Sequence, residues 1–203
     1  MELRAWIAAA ACLAAVAVLG ALIVRGATAA LDRSGFALRG RGVRVAFVFT
    51  LLGRWPALTI LGALAFGIGM LLREGLNAVV ALLATQVVSQ LANSGIKRLY
   101  ARPRPAVFYG ARERECSYPS GHAVTAIVFF AGFAILAWQA PFPAPVRAAL
   151  CALLLTCTAG IPWSRVALGA HYTSDVIGGE LFGTAWLCAL AAIAASAPAY
   201  FAR

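Results

Sequence analysis

The sequence predicts an all-α bundle of six membrane-spanning helices, with its long loops gathered on one membrane face. Three observations lead there. Of 203 residues, 63% are hydrophobic and 12% charged, against about 25% charged in an ordinary soluble domain. Six apolar stretches approach the roughly 20 residues that one span requires. The connections between them are unequal, some being tight turns and others long, arginine-rich segments. A soluble globule of this composition would leave a large apolar surplus facing water, whereas lipid accommodates it.

Taken in order, the first stretch runs from Trp6 to Val24 after Arg4. Ala27-Thr28-Ala29 is loosely like a cleavage site, but the stretch is longer than the apolar core of a secretory signal and reads as an uncleaved first span. The segment Arg25 to Arg54 follows, in which Val43 to Leu52, after Arg39 and Arg41, reads as an amphipathic piece lying along the interface. Trp55 to Leu72 is the second span and Arg73-Glu74 a tight turn. Leu76 to Ile96 is the third. It carries Gln86, Ser89, Gln90 and Asn93 at helical spacing, one turn before Lys97. A polar stripe in lipid must face protein, through interhelical hydrogen bonds or as a wall below a reaction site, and either use places this helix in the bundle centre.

The long segment Lys97 to His122 leads to a fourth span, Ala123 to Ala140, and Pro141 to Arg147 turns tightly into a fifth, Ala148 to Trp163. The fifth is short and must borrow Arg147 or Ser164 to Leu168 to cross. The link Ser164 to Asp175 precedes the sixth span, Val176 to Ala197. Counting crossings puts the long segments and this link on one face, and both termini and the tight turns on the other. No repeat or composition break divides the chain, so residues 1–203 read as one integral-membrane domain.

Basic residues outnumber acidic ones 17 to 7, and all but Lys97 of the 17 are arginines scattered between apolar stretches. This is not the continuous basic tract of a nucleic-acid binder, and phosphate or lipid headgroups are the better partners. Arg25, Arg33, Arg54, Arg73 and Arg147, single at span ends, read as arginines that snorkel to headgroups. Cys12, Cys151, Cys157 and Cys188 lie in apolar runs and only Cys116 in a polar one. There is no CxxC, so neither a zinc site nor a disulfide framework is expected.

The rare ionisable residues show where the chemistry is kept. The single lysine, Lys97, and the two histidines, His122 and His171, all fall on the elaborated face. Lys97, Arg104 and Arg165 supply positive charge and a fan of N–H donors suited to phosphate. Ser120 and Gly121 stand just before an apolar helix, where unpaired backbone N–H groups and the helix dipole attract an anion. His171 and Asp175 are four apart, so on a first helical turn the carboxylate reaches the imidazole, selects one tautomer and makes the other nitrogen a better nucleophile. His122 is left to act as acid and base. Two histidines and one carboxylate amid surplus cation make a poor metal site, so no metal and no cofactor is expected.

These residues stand in Lys97 to Pro105, Pro119-Ser120-Gly121-His122, and Ser164-Arg165 to His171 and Asp175. In that order they resemble the three signature segments of the type 2 phosphatidic acid phosphatase superfamily, Lys-x6-Arg-Pro, Pro-Ser-Gly-His and Ser-Arg-x5-His-x3-Asp. The match covers residues 97–175 and leaves the first 75 or so residues without signature. The resemblance implies metal-independent hydrolysis of a membrane-lipid phosphate or diphosphate ester through a phosphohistidine on His171, oriented by Asp175. His122 would protonate the leaving oxygen and then activate water, while Lys97, Arg104, Arg165, Ser120 and Gly121 hold the phosphate. Undecaprenyl diphosphate, phosphatidylglycerophosphate, phosphatidic acid and a lipid A phosphate are candidate substrates. A phosphotransferase using the same intermediate, and an anion transporter or channel, are the competing readings. Arg102-Pro103-Arg104-Pro105 offers two Arg-Pro pairs, and only spacing selects Arg104. Glu180 has no place in the signature and reads as a packing or polar-contact residue.

Sidedness divides two arguments. The elaborated face carries six basic residues between Arg25 and Arg54, six between Lys97 and Arg114, and Arg165, whereas the other face carries Arg4, Arg73, Arg147 and Arg203. The positive-inside rule would make the elaborated face cytoplasmic. The resemblance implies a bacterial inner-membrane protein with an extracytoplasmic site, and that expectation is followed. The oligomeric state is not legible in the sequence.

Overall fold

The computed structural model describes residues 2–72, 75–110 and 115–201. The expected turn at Arg73-Glu74, and Arg112, Arg114 and Arg203 of the charge distribution, lie outside the described residues. We number the helices α1 (Glu2–Val24), α2 (Ala29–Ser34), α3 (Val43–Leu52), α4 (Trp55–Leu72), α5 (Leu76–Tyr100), α6 (Gly121–Gln139), α7 (Ala144–Ala167), α8 (Thr173–Ser196) and α9 (Pro198–Phe201). A 3-10 turn, Gly35–Leu38, follows α2, and a π turn, Ala126–Ala131, interrupts α6. There is no strand among the described residues.

Six helices are long and apolar enough to cross a membrane: α1, α4, α5, α6, α7 and α8. They are the six expected spans, and the chain is an integral membrane protein. The fifth reaches crossing length by extending at both ends, taking in Arg147 and Ser164 to Ala167. Val43 to Leu52 is a helix, and its inner face, Ala46 and Thr50, is buried against α7. Asn77 Nδ2 donates to the Tyr200 carbonyl at 2.7 Å, which puts the C-terminal end beside the start of α5, on the tight-turn face.

The bundle is centred on α6 and α8 rather than on α5. Half of the apolar window of α6 is buried, against 22% for α5, whose outer side presents Val80, Val87, Val88, Leu91 and Leu99 to the surroundings. The polar stripe of α5 does face protein, since Gln86, Ser89, Asn93 and Lys97 are all buried. The expectation of a central α5 fails because a stripe one residue wide needs only one protein-facing side. Close approach of α6 to α8 depends on Gly179 and Gly183, one turn apart. A Cβ at Gly179 would meet the Ser120 carbonyl, and one at Gly183 would meet Ile127 and the Val124 carbonyl. Val16, Leu82, Tyr118, Val124, Val128 and Phe182 form the central apolar cluster.

The loops of the elaborated face are tied to helix ends by backbone hydrogen bonds. Gly40 N–H donates to the Ala167 carbonyl, Tyr109 N–H to Leu168, Ser117 N–H to Arg102 and Ser120 N–H to Asp175, all at 2.8–2.9 Å. Gly169 takes φ +73, and a Cβ there would strike the Val107 carbonyl, so glycine serves both the left-handed turn and the close approach. Ala101 is also left-handed, with φ 44. It closes the C-terminus of α5 by donating to the Lys97 carbonyl at 2.9 Å, and it swings the chain toward Arg102 and Arg104.

Candidate active site

His171 belongs to the short link between α7 and α8 and is 1% exposed. Its backbone N–H donates to the Arg165 carbonyl at 3.1 Å, which fixes the ring relative to the end of α7. One guanidinium nitrogen of Arg104 lies 3.0 Å from His171 Nε2 and also donates to the Ala170 carbonyl at 3.0 Å. Arg104 Nε donates to the Glu115 carbonyl at 2.8 Å. Spacing therefore selected the arginine that faces the imidazole.

On the other side of the ring, Asp175 Oδ2 is 3.6 Å from His171 Nδ1, beyond hydrogen-bond length. Ser117, which the sequence reading missed, stands between them. Its hydroxyl donates to Asp175 Oδ2 at 2.5 Å and lies 3.3 Å from His171 Nδ1. Asp175 also accepts from the Tyr172 N–H at 2.9 Å, closing the first turn of α8 as a cap, and from Arg102 at 2.5 Å. Arg102 thus belongs to the carboxylate and Arg104 to the imidazole. The Arg102 guanidinium would be lowered in pKa by burial, but the Asp175 and Asp32 carboxylates outweigh this and raise it.

A cavity of about 620 Å³ opens beside His171. Lys97, Asn93 and Gln90 of α5, Gly121, His122 and Thr125 of α6, and Gly53, Arg54 and Trp55 at the start of α4 line it. Of the expected site residues, Lys97, Gly121, His122 and His171 are on its wall, with Arg104 one hydrogen bond behind. Arg54, read from its span-end position as a snorkelling arginine, stands on this wall. Ser120 is fully buried at the start of α6, and its hydroxyl has no hydrogen-bond partner among the described residues. Arg165 is fully buried too; its guanidinium donates to Thr50 of α3 at 3.2 Å, and Thr50 and Ser164 share a 2.8 Å hydrogen bond. Glu180 is half-buried in α8 and is not on the cavity wall.

The α5 stripe fills both expected roles. Gln86 and Gln90 donate to Thr125 Oγ1, and Gln90 to the Gly121 carbonyl, all at 2.9 Å, while Gln90 and Asn93 also line the cavity. Lys97 Nζ is 2.7 Å from Glu115 Oε2. The Glu115 side chain is 66% exposed, so this pair is worth roughly 1 kcal/mol or less. Its sequence signal was only an acidic residue in a basic loop.

Comparison with known proteins agrees with this geometry. Over residues 75–197 the chain matches the model of the PAP2 superfamily. It is 41% identical over 120 residues to a lipid A 1-phosphatase of Rhizobium johnstonii, covering 54% of this chain and 44% of that protein. A lipid A 1-phosphatase of Rhizobium etli is 38% identical over 122 residues, covering 55% and 48%. The chain spans less than half the length of these curated relatives. Its fold is similar to the crystal structure of a transmembrane PAP2-type phosphatidylglycerolphosphate phosphatase from Bacillus subtilis, with a TM-score of 0.78 at 22% identity over 93% of this chain and 96% of that one. With the three signature segments brought to one cavity and more than half of the chain matched by the family model, this chain belongs to the PAP2 superfamily.

Proposed function

We propose that the protein is a metal-independent phosphatase of a membrane-lipid phosphate or diphosphate ester, acting through His171 as nucleophile. The observation that carries this is the setting of the ring. Nε2 faces the Arg104 guanidinium at 3.0 Å beside the cavity, while Nδ1 faces Ser117 and Asp175. Nε2 attacks phosphorus, the bond from phosphorus to the lipid oxygen breaks, and His122 gives that oxygen a proton. His122 then takes a proton from water, the water oxygen attacks phosphorus, and the phosphorus–nitrogen bond breaks to release phosphate. Lys97, Arg104, Arg165, Ser120 and the Gly121 N–H neutralise the charge of the transferring group.

Trp55, Leu58, Val87 and Leu91 join the polar groups on the cavity wall, which suits an ester whose alcohol is a lipid. The names of the Rhizobium relatives make a lipid A 1-phosphate the first substrate to test. Phosphate release from purified protein, compared across lipid A, undecaprenyl diphosphate, phosphatidylglycerophosphate and phosphatidic acid, decides the reading. Release from none of the four would refute it.

Two expectations follow. Activity persists in EDTA and is inhibited by vanadate, because cationic side chains fill the place that divalent ions take in other phosphatases. A loss in EDTA that magnesium or zinc restores would count against the mechanism. The site faces the extracytoplasmic side of the bacterial inner membrane, a reading that rests on the family and opposes the arginine distribution. Cys116, half-buried and adjacent to Ser117, reports on it. A membrane-impermeant maleimide should label it in spheroplasts. Labelling only after permeabilisation, with a thiol shown to react in detergent, places the site in the cytoplasm.

A further inference from the structure

Asp32 lies in α2, within the part of the chain that carries no signature, yet it is 5% exposed and saturated with hydrogen bonds. Its Oδ1 accepts from the Ser174 N–H at 3.0 Å and the Ser174 hydroxyl at 2.7 Å. Its Oδ2 accepts from Thr28 at 3.0 Å and from Arg102 at 2.7 Å. The same guanidinium donates to Asp175 at 2.5 Å and to the Ser174 hydroxyl at 2.8 Å. Arg102 is therefore a bridge between two buried carboxylates, with its Cζ 4.2 Å from the centre of the Tyr172 ring.

We infer that Asp32 is a positioning residue for the reaction, which holds Arg102 and offsets its charge so that Asp175 still acts on His171. The inference rests on the reading of His171 as nucleophile. Phosphoryl transfer puts positive charge on the imidazole, and a carboxylate beside it stabilises that charge. An Arg102–Asp175 pair alone is neutral, and in a site this dry it would do little for the ring. Two carboxylates about one guanidinium leave one negative charge, and the geometry delivers it through Asp175. Arginine suits the bridge, because its planar fork engages two acceptors at once where a lysine cannot. The other charged groups around His171 are Arg104 and Glu115 of the long loop, Lys97 of α5, His122 of α6, Arg165 of α7 and Arg54 just before α4, with Tyr118 and Tyr172 nearby. Arg39 is close enough to Tyr172 and Asp32 to feel the charge of both. Arg102 is the group that contacts both carboxylates, at 2.7 Å from Asp32 and 2.5 Å from Asp175.

The chain has only two histidines, which allows a direct readout. Protein carrying ring-labelled histidine, purified without a histidine tag, gives two imidazole NMR signals, and His122→Ala assigns them. In Asp32→Asn the His171 titration midpoint should fall by about half a unit to one unit, since a negative charge is lost. Arg102→Gln should raise it, and the double variant should return it near the wild-type value. Phosphate release from lipid A by Asp32→Asn should drop about 10- to 100-fold in kcat, and Asp32→Glu should recover part of it. A purely structural Asp32 costs activity and thermal stability while leaving the midpoint in place, and that result overturns the inference. If Asp32→Asn does not fold, Arg102→Gln decides alone, because an unmoved or lowered midpoint is equally fatal. Should His171→Ala remain active, the nucleophile reading fails first; a dead His171→Ala with an unmoved midpoint in Asp32→Asn rejects only the role of Asp32.

Discussion

His171→Ala abolishes turnover, by at least about 10⁴-fold in kcat, and leaves no phosphoenzyme to trap, whereas His122→Ala loses about 10²- to 10⁴-fold and still forms phosphoenzyme from an aryl phosphate. The two imidazoles line one cavity but stand in different surroundings. His171 is buried, with Arg104 at Nε2 and Ser117 and Asp175 toward Nδ1. His122 sits at the start of α6, close enough to the turn between α3 and α4 that a Cβ on Gly53 would press on its ring. A nucleophile cannot be replaced by a better leaving group; a proton donor can. Rapid quench with a labelled substrate reads phosphoenzyme and turnover separately. Near wild-type release by His171→Ala would remove the mechanism, and loss of phosphoenzyme in His122→Ala with an aryl phosphate would remove the division of roles.

The second large effect is expected at Asp175→Asn, with kcat reduced about 10³- to 10⁴-fold, as when a carboxylate that orients a catalytic imidazole is made an amide. The amide keeps the size of the side chain but loses its charge and offers an N–H where Ser117, the Tyr172 N–H and Arg102 all donate. The Arg102 charge is then left with Asp32 alone. KM should change much less than kcat, because this carboxylate is fully buried and is not on the cavity wall. Steady-state kinetics on the folded variant test it, and a kcat within tenfold of wild type would show that Asp175 serves only to cap α8.

The spans were legible because each is a long apolar run between polar marks, and lipid-length hydrophobicity is read directly from composition. Lys97, Arg104, Ser120, Gly121, His122, Arg165, His171 and Asp175 were legible as the few ionisable or helix-opening residues in an apolar chain. What stayed hidden depends on packing between distant segments. Asp32 meets Arg102 and Ser174 across 70 and 142 positions, and Thr50 meets Arg165 across 115. Neither α2 nor α3 carries a pattern that announces a partner. Ser117 is a lone hydroxyl in a loop, and nothing in spacing distinguishes it from Ser34 or Ser94. The centre of the bundle was misplaced for a related reason: the glycines of α8 that admit α6 carry no polar signal, while the conspicuous stripe of α5 does.

The π turn Ala126–Ala131 separates α6 into two halves that are out of phase. Above it, Thr125 and Gly121 receive the glutamines of α5 and His122 meets the cavity; within it, Phe129 and Phe130 pack with Leu58, Cys157 and Ile161. A π turn carries one residue more than an α-helix needs over the same path. Were the same residues wound as regular α-helix, one half would be rotated against the other by about 100°. Hydropathy and composition would be unchanged by such a rewinding, yet the imidazole of His122 would no longer face the cavity it lines. In this helix the angular setting of His122 against the lower half is stored in one widened turn, where neither hydropathy nor span length records it.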